Sequence, residues 1–196
     1  MTPREYAELA GAAYKAVPDI GQEDGAARII VTETSDDLIF SIPGTNNLAC
    51  LGADIDALTH DAGEFGHVHA GIWGAFDEVW PEAAKLAPSA LCGHSEGAAG
   101  ALYLGARFCL AGMPPKVIHA FEPPRTSIDP KLADIFKARS VEVHIYHHGH
   151  DAVPLVPLSI PGQAWQHAGP VTQFGKASSI FPNLDDHMIA AVIADL

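Results

Sequence analysis

The sequence predicts an α/β fold in which a mostly parallel central sheet is covered by helices on both faces. Beyond an N-terminal helix and a hairpin, short apolar runs alternate with helical patterns in the order strand, helix, strand, helix, strand. This alternation is typical of parallel βαβ units. With 196 residues, of which 48% are hydrophobic, the chain is long enough for one domain, residues 1–196, with a sizeable core.

The N-terminal elements are a helix and a β-hairpin. Thr2 and Glu5 have the spacing of a capping box, with proline at the first helical position, and apolar residues recur at helical spacing to about Val17. Residues 27–32 and 38–42 are apolar and β-branched and flank a polar turn, which predicts two paired strands.

The rest of the chain carries the alternating strands and helices. The predicted elements are, in order, a helix at 48–58, a helix at 73–86 with a kink at Pro81, a strand at 90–92, a helix at 98–110, a strand at 116–121, a helix at 130–138 with Asp129 as its N-cap, a strand at 141–147, an edge hairpin at 163–174 and a final helix at 184–196.

The composition argues against several classes of partner. The 11 basic and 24 acidic residues give a net charge of −13, and such a surface repels nucleic acid and anionic lipid headgroups. No apolar run reaches the length of a membrane span, and no apolar signal region follows Met1, so we expect a cytoplasmic protein without stable membrane insertion. The three cysteines, an odd number without metal-binding spacing, fit reduced thiols. The oligomeric state stays open.

The pentapeptide Gly93-His94-Ser95-Glu96-Gly97 is the most informative motif in the chain. It has the pattern G-x-S-x-G, and it stands between a predicted strand and a predicted helix. This is the context of a nucleophile elbow, a sharp turn that exposes the serine hydroxyl above a sheet. The two glycines would remove Cβ atoms that clash where the strand and the helix nearly touch. Ser95 is therefore the candidate nucleophile.

A nucleophilic serine needs a base to take its proton and an acid to orient that base. Asp151 is the best candidate acid, because it follows the 141–147 strand at the edge where open α/β sheets place their sites. Asp129 and Asp134 are weaker candidates, since each fits a helix cap or a solvated face. His187 is the preferred base because the histidine comes last in the α/β-hydrolase order, and His167 is its rival.

A run of histidines near the predicted acid also permits a metal site. On a strand, three of the four would share one face. A zinc site needs three converging ligands with fixed partners, so we favour an imidazole-rich strand end beside the active site. The four residues are His144, His147, His148 and His150.

The tetrahedral intermediate of acyl transfer needs two preorganised N–H donors. The backbone N–H of Glu96, at the start of the predicted helix, is one candidate. The second is the N–H of Thr45, in the loop that follows the 38–42 strand. An ordinary loop that caps the next helix would have the same residue types.

Motifs along nearly the whole chain resemble those of the class 3 (fungal-type) lipase family of α/β-hydrolases. The resembling segments are, in chain order, residues 6–14, the strand that ends in Pro43-Gly44-Thr45, Asp54, Val68-His69-Ala70-Gly71-Ile72, the pentapeptide, Phe121-Glu122-Pro123-Pro124-Arg125, Asp151-Ala152-Val153-Pro154, Trp165-Gln166-His167-Ala168-Gly169 and Asp186-His187. Their shared order along the chain makes the resemblance specific.

The resemblance implies a compact α/β-hydrolase fold with Ser95, Asp151 and His187 as a catalytic triad. It implies that Thr45 and Glu96 form the oxyanion hole. It also implies hydrolysis of carboxylic esters, with a small-molecule ester as substrate and without metal or cofactor.

Three positions and one segment depart from the family pattern. Pro43 stands where the family has an arginine, so a salt bridge that braces the oxyanion loop is expected to be missing. Glu96 replaces a leucine beside the nucleophile, where a negative charge opposes an oxyanion unless it points away or is protonated. Glu122 replaces a glycine. Residues 46–67 would contain any lid; they are few and acidic, which predicts a minimal lid or none and a preference for soluble or short- to medium-chain esters.

Two classes of function fit these observations. The first is a serine ester hydrolase, and an acyltransferase or an amidase would use the same triad. The second is a catalytically idle α/β-hydrolase fold that binds a ligand or a partner, because a fold does not by itself imply a function. A serine, an aspartate and a histidine in the required chain order favour the enzyme.

Overall fold

The computed structural model of the protein describes residues 1–45 and 58–196. The strands in these ranges are β1 (Ile20–Gly21), β2 (Arg28–Glu33), β3 (Leu38–Ile42), β4 (Thr59–Asp61), β5 (His67–His69), β6 (Ala90–His94), β7 (Val117–Phe121), β8 (Glu142–His148) and β9 (Val171–Phe174). The α-helices are α1 (Pro3–Ala12), α2 (Ala70–Ala83), α3 (Glu96–Leu110), α4 (Lys131–Ala138) and α5 (Ile189–Asp195).

Seven of these strands form one sheet in the order β1-β2-β3-β6-β7-β8-β9. The pairs β1–β2 and β2–β3 are antiparallel, and every pair from β3 to β9 is parallel. Strands β4 and β5 form a separate antiparallel ribbon. The predicted hairpin and the predicted mostly parallel sheet are thus confirmed.

Helices cover both faces of the sheet, as the sequence predicts. On one face, α2, α3 and α4 bury a large apolar cluster that includes Phe76, Leu102 and Phe136. On the other face, α1 and α5 pack over a smaller cluster that includes Tyr6 and Val192. The carboxyl ends of the parallel strands therefore open along one edge of a sheet that is buried on both sides.

The first helix begins as predicted and ends earlier. The Thr2 hydroxyl accepts the N–H of Glu5, and the Glu5 carboxylate accepts the N–H of Thr2, so the capping box is present. The α-helix ends at Ala12 and continues as a 3₁₀ turn over Ala13–Lys15. The helical pattern stops short of Val17 because this residue precedes Pro18, and a residue before proline disfavours the helical backbone.

Two predictions for the C-terminal third of the chain are wrong. The segment 163–174 is not a hairpin, because only β9 pairs with the sheet, parallel to β8, while Gln166 bridges to Ser127. Pro170, which has no N–H, directly precedes β9. The final helix begins at Ile189 and not at residue 184, since the preceding turn is held by hydrogen bonds to the Asp186 carboxylate.

The remaining differences lie at helix ends. Helix α2 starts three residues earlier than predicted, and the His69 side chain accepts the N–H of Ile72 there. The N-cap of α4 is Pro130 and not Asp129, although a carboxylate oxygen of Asp129 accepts the Lys131 N–H at 3.1 Å. The helix predicted at 48–58 lies outside the described residues, except for its last residue, Leu58.

Within the described ranges, no helix combines the length and the apolar character that crossing a membrane requires. Cys92 and Cys109 are buried free thiols.

Candidate active site

The pentapeptide forms a sharp turn between β6 and α3. Ser95 has φ 59° and ψ −129°, a backbone conformation that L-residues rarely adopt. The turn is fixed by the Ser95 N–H, which donates to the carbonyl of Phe121 at 2.9 Å. A strained residue held in place by its surroundings, on a turn between a strand and a helix, is the geometry of a nucleophile elbow.

The two glycines of the motif are required by close backbone contacts. A Cβ atom on Gly93 would lie 2.3 Å from the carbonyl oxygen of Gly97, and one on Gly97 would lie 2.4 Å from that of Ile42. Both distances are far below van der Waals contact, so the predicted reason for the glycines is confirmed.

Ser95, His187 and Asp151 form one continuous hydrogen-bond chain. The distance from His187 Nδ1 to Asp151 Oδ2 is 2.6 Å, and that from His187 Nε2 to Ser95 Oγ is 2.8 Å. Because an ionised carboxylate can only accept, Nδ1 carries the proton and Nε2 accepts from the Ser95 hydroxyl. All three side chains are fully buried, so the prediction of an exposed Ser95 hydroxyl is wrong; the loop after β3 packs against this residue. The three residues selected from the sequence are thus brought together.

Strand order explains why these residues meet. Ser95 follows β6, and Asp151 follows β8, two strands along the same parallel sheet. The other oxygen of Asp151 accepts the N–H of Val153 at 2.9 Å, which fixes the carboxylate plane. Burial alone would raise the pKa of Asp151, but the hydrogen bond from His187 holds this pKa below its ordinary value. Asp151 is therefore an anion.

The loop that carries His187 is tied to the loop after β8. The backbones of Asn183 and the 150–152 turn exchange two hydrogen bonds of 3.0 Å. The Asp186 carboxylate accepts the N–H groups of His150 and Ser178. These hydrogen bonds outweigh burial and lower the pKa of Asp186. No local sequence pattern indicates this role, although Asp186 directly precedes the predicted base.

The histidine of the pentapeptide holds the backbone of His187. His94 Nε2 lies 2.8 Å from the carbonyl oxygen of His187, so it donates, and Nδ1 must accept from the Tyr14 hydroxyl at 2.6 Å. Burial lowers the pKa of His94 to about 3, so this ring is neutral. Sequence reasoning missed both Tyr14 and His94 as supports of the site.

The loop after β3 lies against the nucleophile. A Cβ atom on Gly44 would lie 2.7 Å from the Ser95 Cβ, so only glycine allows this approach. Thr45 follows directly, and Glu96 is the first residue of α3, where N–H groups have no acceptor within the helix. The two residues predicted as oxyanion donors therefore lie near Ser95, Glu96 as its neighbour in the chain and Thr45 directly after Gly44.

An arginine from another strand braces this loop. Arg28, on β2, is buried and donates from Nη2 to the Gly44 carbonyl at 3.0 Å. The sequence predicts that a salt bridge is missing here because Pro43 stands where the resembling family has an arginine. The Arg28 guanidinium holds the same loop from the neighbouring strand, through a hydrogen bond to a carbonyl instead of an ion pair.

The side chain of Glu96 lies at the edge of the site. It lines a surface depression of about 280 Å³ together with Gly44 and Thr45, and with Arg28 and the acidic residues Glu23 and Asp24. Burial raises the pKa of Glu96 above its ordinary value. The acid that replaces the family leucine thus faces the same depression as the proposed oxyanion loop.

The rejected candidates lie elsewhere. His167 Nε2 bonds to the Pro154 carbonyl at 2.9 Å, Asp129 bonds to the N–H groups of His67 and Lys131, and Asp134 is exposed on α4. In the described ranges, none of these three residues forms a hydrogen bond with Ser95 or His187.

The histidine run does not converge on one point. His147 bonds to the Asp151 carbonyl, His148 to the Asp186 carbonyl and Asp195, and His150 to the Ser179 carbonyl. The group of possible metal-ligating atoms in the described ranges is instead Glu122, Asp151 and His187, whose atoms lie within 4.8 Å of one another. Two of these residues already belong to the hydrogen-bond chain.

Structural comparison places this geometry on a known fold. A nonglycosylated lipase from Yarrowia lipolytica superposes with a TM-score of 0.68 at 19% identity, over 94% of this chain and 82% of that one. A lipase from Rhizopus microsporus var. chinensis has a TM-score of 0.65 at 18% identity, over 98% and 84% of the two chains. A triacylglycerol lipase from Penicillium expansum has a TM-score of 0.64 at 17% identity, over 89% and 78%.

Sequence comparison gives no further relative: no protein-family model matches the chain, and no curated protein matches it. The structural likeness extends over most of each chain. The resemblance drawn from the motifs is confirmed at the level of the fold.

Proposed function

We propose that this chain, which has the α/β-hydrolase fold of the fungal lipases, is a serine carboxylic ester hydrolase that works through an acyl-enzyme on Ser95. The observation that carries the proposal is the unbroken chain of short hydrogen bonds from Ser95 through His187 to Asp151. It stands at the carboxyl edge of the parallel strands, where α/β folds place their sites. The similarity to lipases supports the ester as substrate class.

In the first half of the reaction, Ser95 Oγ attacks the ester carbonyl carbon. His187 Nε2 takes the hydroxyl proton, and Asp151 stabilises the imidazolium that forms. The tetrahedral intermediate collapses when its bond to the alkoxy oxygen breaks. His187 gives its proton to the departing alcohol, and the acyl group stays on Ser95 as an ester.

In the second half, water replaces the alcohol. His187 takes a proton from the water as its oxygen attacks the acyl carbon, and it then returns the proton to Ser95 as the carboxylic acid leaves. The N–H groups of Thr45 and Glu96 hold the oxyanion in both intermediates. The side chains present supply every proton transfer.

The substrates we propose are small soluble esters with short to medium acyl chains. The described part of the segment between Thr45 and α2 consists of the β4–β5 ribbon and a 3₁₀ turn over Gly63–Phe65. The net charge of −13 disfavours adsorption to anionic lipid surfaces. Apolar side chains exposed on the loop before His187, such as Ile180 and Phe181, supply surface for an acyl chain.

A panel of p-nitrophenyl esters tests this function. We expect kcat/KM to be highest between acetate and octanoate and to fall toward palmitate. Parallel reactions with p-nitroanilides and with added alcohols separate an amidase or an acyltransferase from a hydrolase. Binding of esters without release of p-nitrophenol from any of them would favour the binding protein instead.

Removal of the charge at Glu96 is expected to raise activity at neutral pH. A carboxylate beside the oxyanion loop opposes the developing negative charge, and the amide of Glu96→Gln does not. Because burial raises the pKa of Glu96, this carboxyl ionises later than an exposed one as pH rises. The gain in kcat/KM should therefore increase with pH and reach about threefold to tenfold. It should vanish in acid, where the native carboxyl is protonated. The pH dependence of kcat/KM measures it.

Glu23→Gln is a matched control, because it removes a charge from the same depression at a residue outside the elbow. Equal pH profiles for the native protein and Glu96→Gln would show that the Glu96 charge does not act on the oxyanion.

A further inference from the structure

We propose that Glu122 is a positioning residue for this reaction, a buried carboxylic acid that stays protonated and donates a hydrogen bond to Asp151. The proposal rests on the hydrolase function above, in which Asp151 orients His187. It extends the Ser95–His187–Asp151 chain by a fourth member.

The sheet places Glu122 between the two ends of the catalytic chain. It directly follows β7, which lies between β6, the strand before Ser95, and β8, the strand before Asp151. The Phe121 carbonyl fixes the Ser95 N–H, and the Glu122 N–H donates to the Tyr146 carbonyl at 3.0 Å. One turn after β7 thus ties the nucleophile to the strand that leads to the acid.

Two unfavourable features coincide at this residue. Its φ is 54°, in the left-handed region that favours glycine. Its side chain is fully buried, and burying a charged or unpaired carboxyl is costly. A residue that is unfavourable for both reasons, next to a catalytic group, indicates a role beyond packing.

The surroundings of the Glu122 carboxyl favour a proton on this side chain. Oε1 accepts the backbone N–H of His148. Oε2 is buried and has no hydrogen-bond partner among the residues that the structure describes. The neighbouring group is Asp151, whose ligating oxygen lies within 4.8 Å of that of Glu122. Two ionised carboxyls at this distance would repel each other in a dry site, whereas a shared proton joins them.

The surrounding charges place that proton on Glu122. Asp151 accepts from His187 and from the Val153 N–H, both of which favour its ionised form. Glu122, by contrast, faces the negative charge of Asp151 and, more weakly, that of Asp186. It accepts one hydrogen bond, from the neutral N–H of His148. Burial, followed by Asp151, raises the pKa of Glu122 well above its ordinary value. His187, which faces these two carboxyls, is the group that becomes cationic during the reaction.

The donated hydrogen bond affects catalysis through Asp151. It keeps Asp151 ionised in a buried site and fixes the carboxylate that orients His187. Without it, the pKa of Asp151 rises, and the ionised form that the imidazolium needs is present only at higher pH. The acid limb of the pH–rate profile should then move upward.

The kinetic test compares three variants at Glu122. Glu122→Gln keeps a donor for Asp151 and an acceptor for His148, so we expect kcat within about threefold of native. Glu122→Leu and Glu122→Gly remove the donor, and Glu122→Gly also relieves the positive φ. For both we expect kcat to fall about tenfold to a hundredfold with little change in KM, and the acid limb to shift upward.

The control for backbone strain is Ser140→Gly, a substitution at a φ of 55° outside the site, which should stabilise the fold without altering the pH profile. Rescue by glutamine together with loss in Glu122→Gly supports a hydrogen-bonding role. An active Glu122→Gly with a native pH profile would overturn the proposal, as would a Glu122→Gln as impaired as Glu122→Leu.

Two readouts do not depend on activity. An infrared difference spectrum of the native protein minus Glu122→Gln at neutral pH should contain the carbonyl band of a protonated carboxylic acid. The native protein should also lose stability relative to Glu122→Gln as pH rises above about 4.3, because the unfolded chain then releases a proton that the folded protein keeps. The midpoint of denaturant unfolding measures this difference.

These readouts separate the two proposals. If the native protein hydrolyses no ester, the hydrolase function fails, and the infrared band and the unfolding midpoints still show whether Glu122 is protonated. A carboxylate band in their place, with no pH-dependent difference in stability, would overturn the protonated Glu122 even in an active enzyme.

Discussion

Replacing Ser95 by alanine is expected to reduce kcat for p-nitrophenyl butyrate by about a millionfold, to the background rate. The physical reason is that no other hydroxyl stands within hydrogen-bond reach of His187 Nε2 in the described structure. The oxyanion donors stay in place but have no covalent intermediate to stabilise. Stopped assays with the purified variant, at enzyme concentrations high enough to detect residual turnover, measure the effect.

The variant should fold like the native protein, with an unchanged circular dichroism spectrum and a similar unfolding midpoint, because a single hydroxyl is removed. Ser35→Ala, in the exposed turn between β2 and β3, is a matched control that should keep full activity. Substantial activity in a folded Ser95→Ala would place the chemistry at another residue.

Asp151→Asn is expected to lower kcat by about ten thousandfold. The asparagine amide can donate to His187 Nδ1, which moves the ring proton to Nε2, and an Nε2 that carries a proton cannot accept the one on Ser95. The variant also removes the anion that stabilises the imidazolium. A pH profile of kcat, extended to alkaline pH, measures the loss.

Asp134→Asn is its control, because this carboxylate is exposed on α4 and lies outside the hydrogen-bond chain. Its kcat should equal the native value. If Asp151→Asn lost less than tenfold, the carboxylate would not orient the base.

Local sequence patterns predict the parts of the fold that depend on neighbours in the chain. The capping box at Thr2, the β2–β3 hairpin and the glycines of the elbow all follow from contacts within a few residues or from strict steric limits. The alternation of strands and helices predicts the parallel sheet for the same reason. Chain order and strand ends restrict the candidates, and they therefore indicate Ser95, Asp151 and His187.

The supports of the site could not be predicted, because they join distant segments. His94 and His187 are 93 residues apart, and the hydrogen bond between them has no local pattern. Arg28 occupies β2, and only the sheet brings it to the Gly44 carbonyl. The sequence shows Glu122 as a departure from glycine, but its proximity to Asp151 depends on the strand order β6-β7-β8.

The two wrong predictions for the C-terminal third have a common cause. The local sequence suggests a hairpin at 163–174 and a helix over 184–188, but tertiary hydrogen bonds to Ser127 and to the Asp186 carboxylate decide the backbone there. Intrinsic preference is weak in such short segments, and long-range contacts override it.

Labelling with a fluorophosphonate shows whether Ser95 is an activated nucleophile. The reagent forms a covalent bond only with a serine that an adjacent base activates. We predict one adduct per chain, mapped by mass spectrometry to the peptide that contains Ser95, and its loss in both Ser95→Ala and His187→Ala. A native protein that stays unlabelled, or a label on another residue, would contradict the proposed nucleophile.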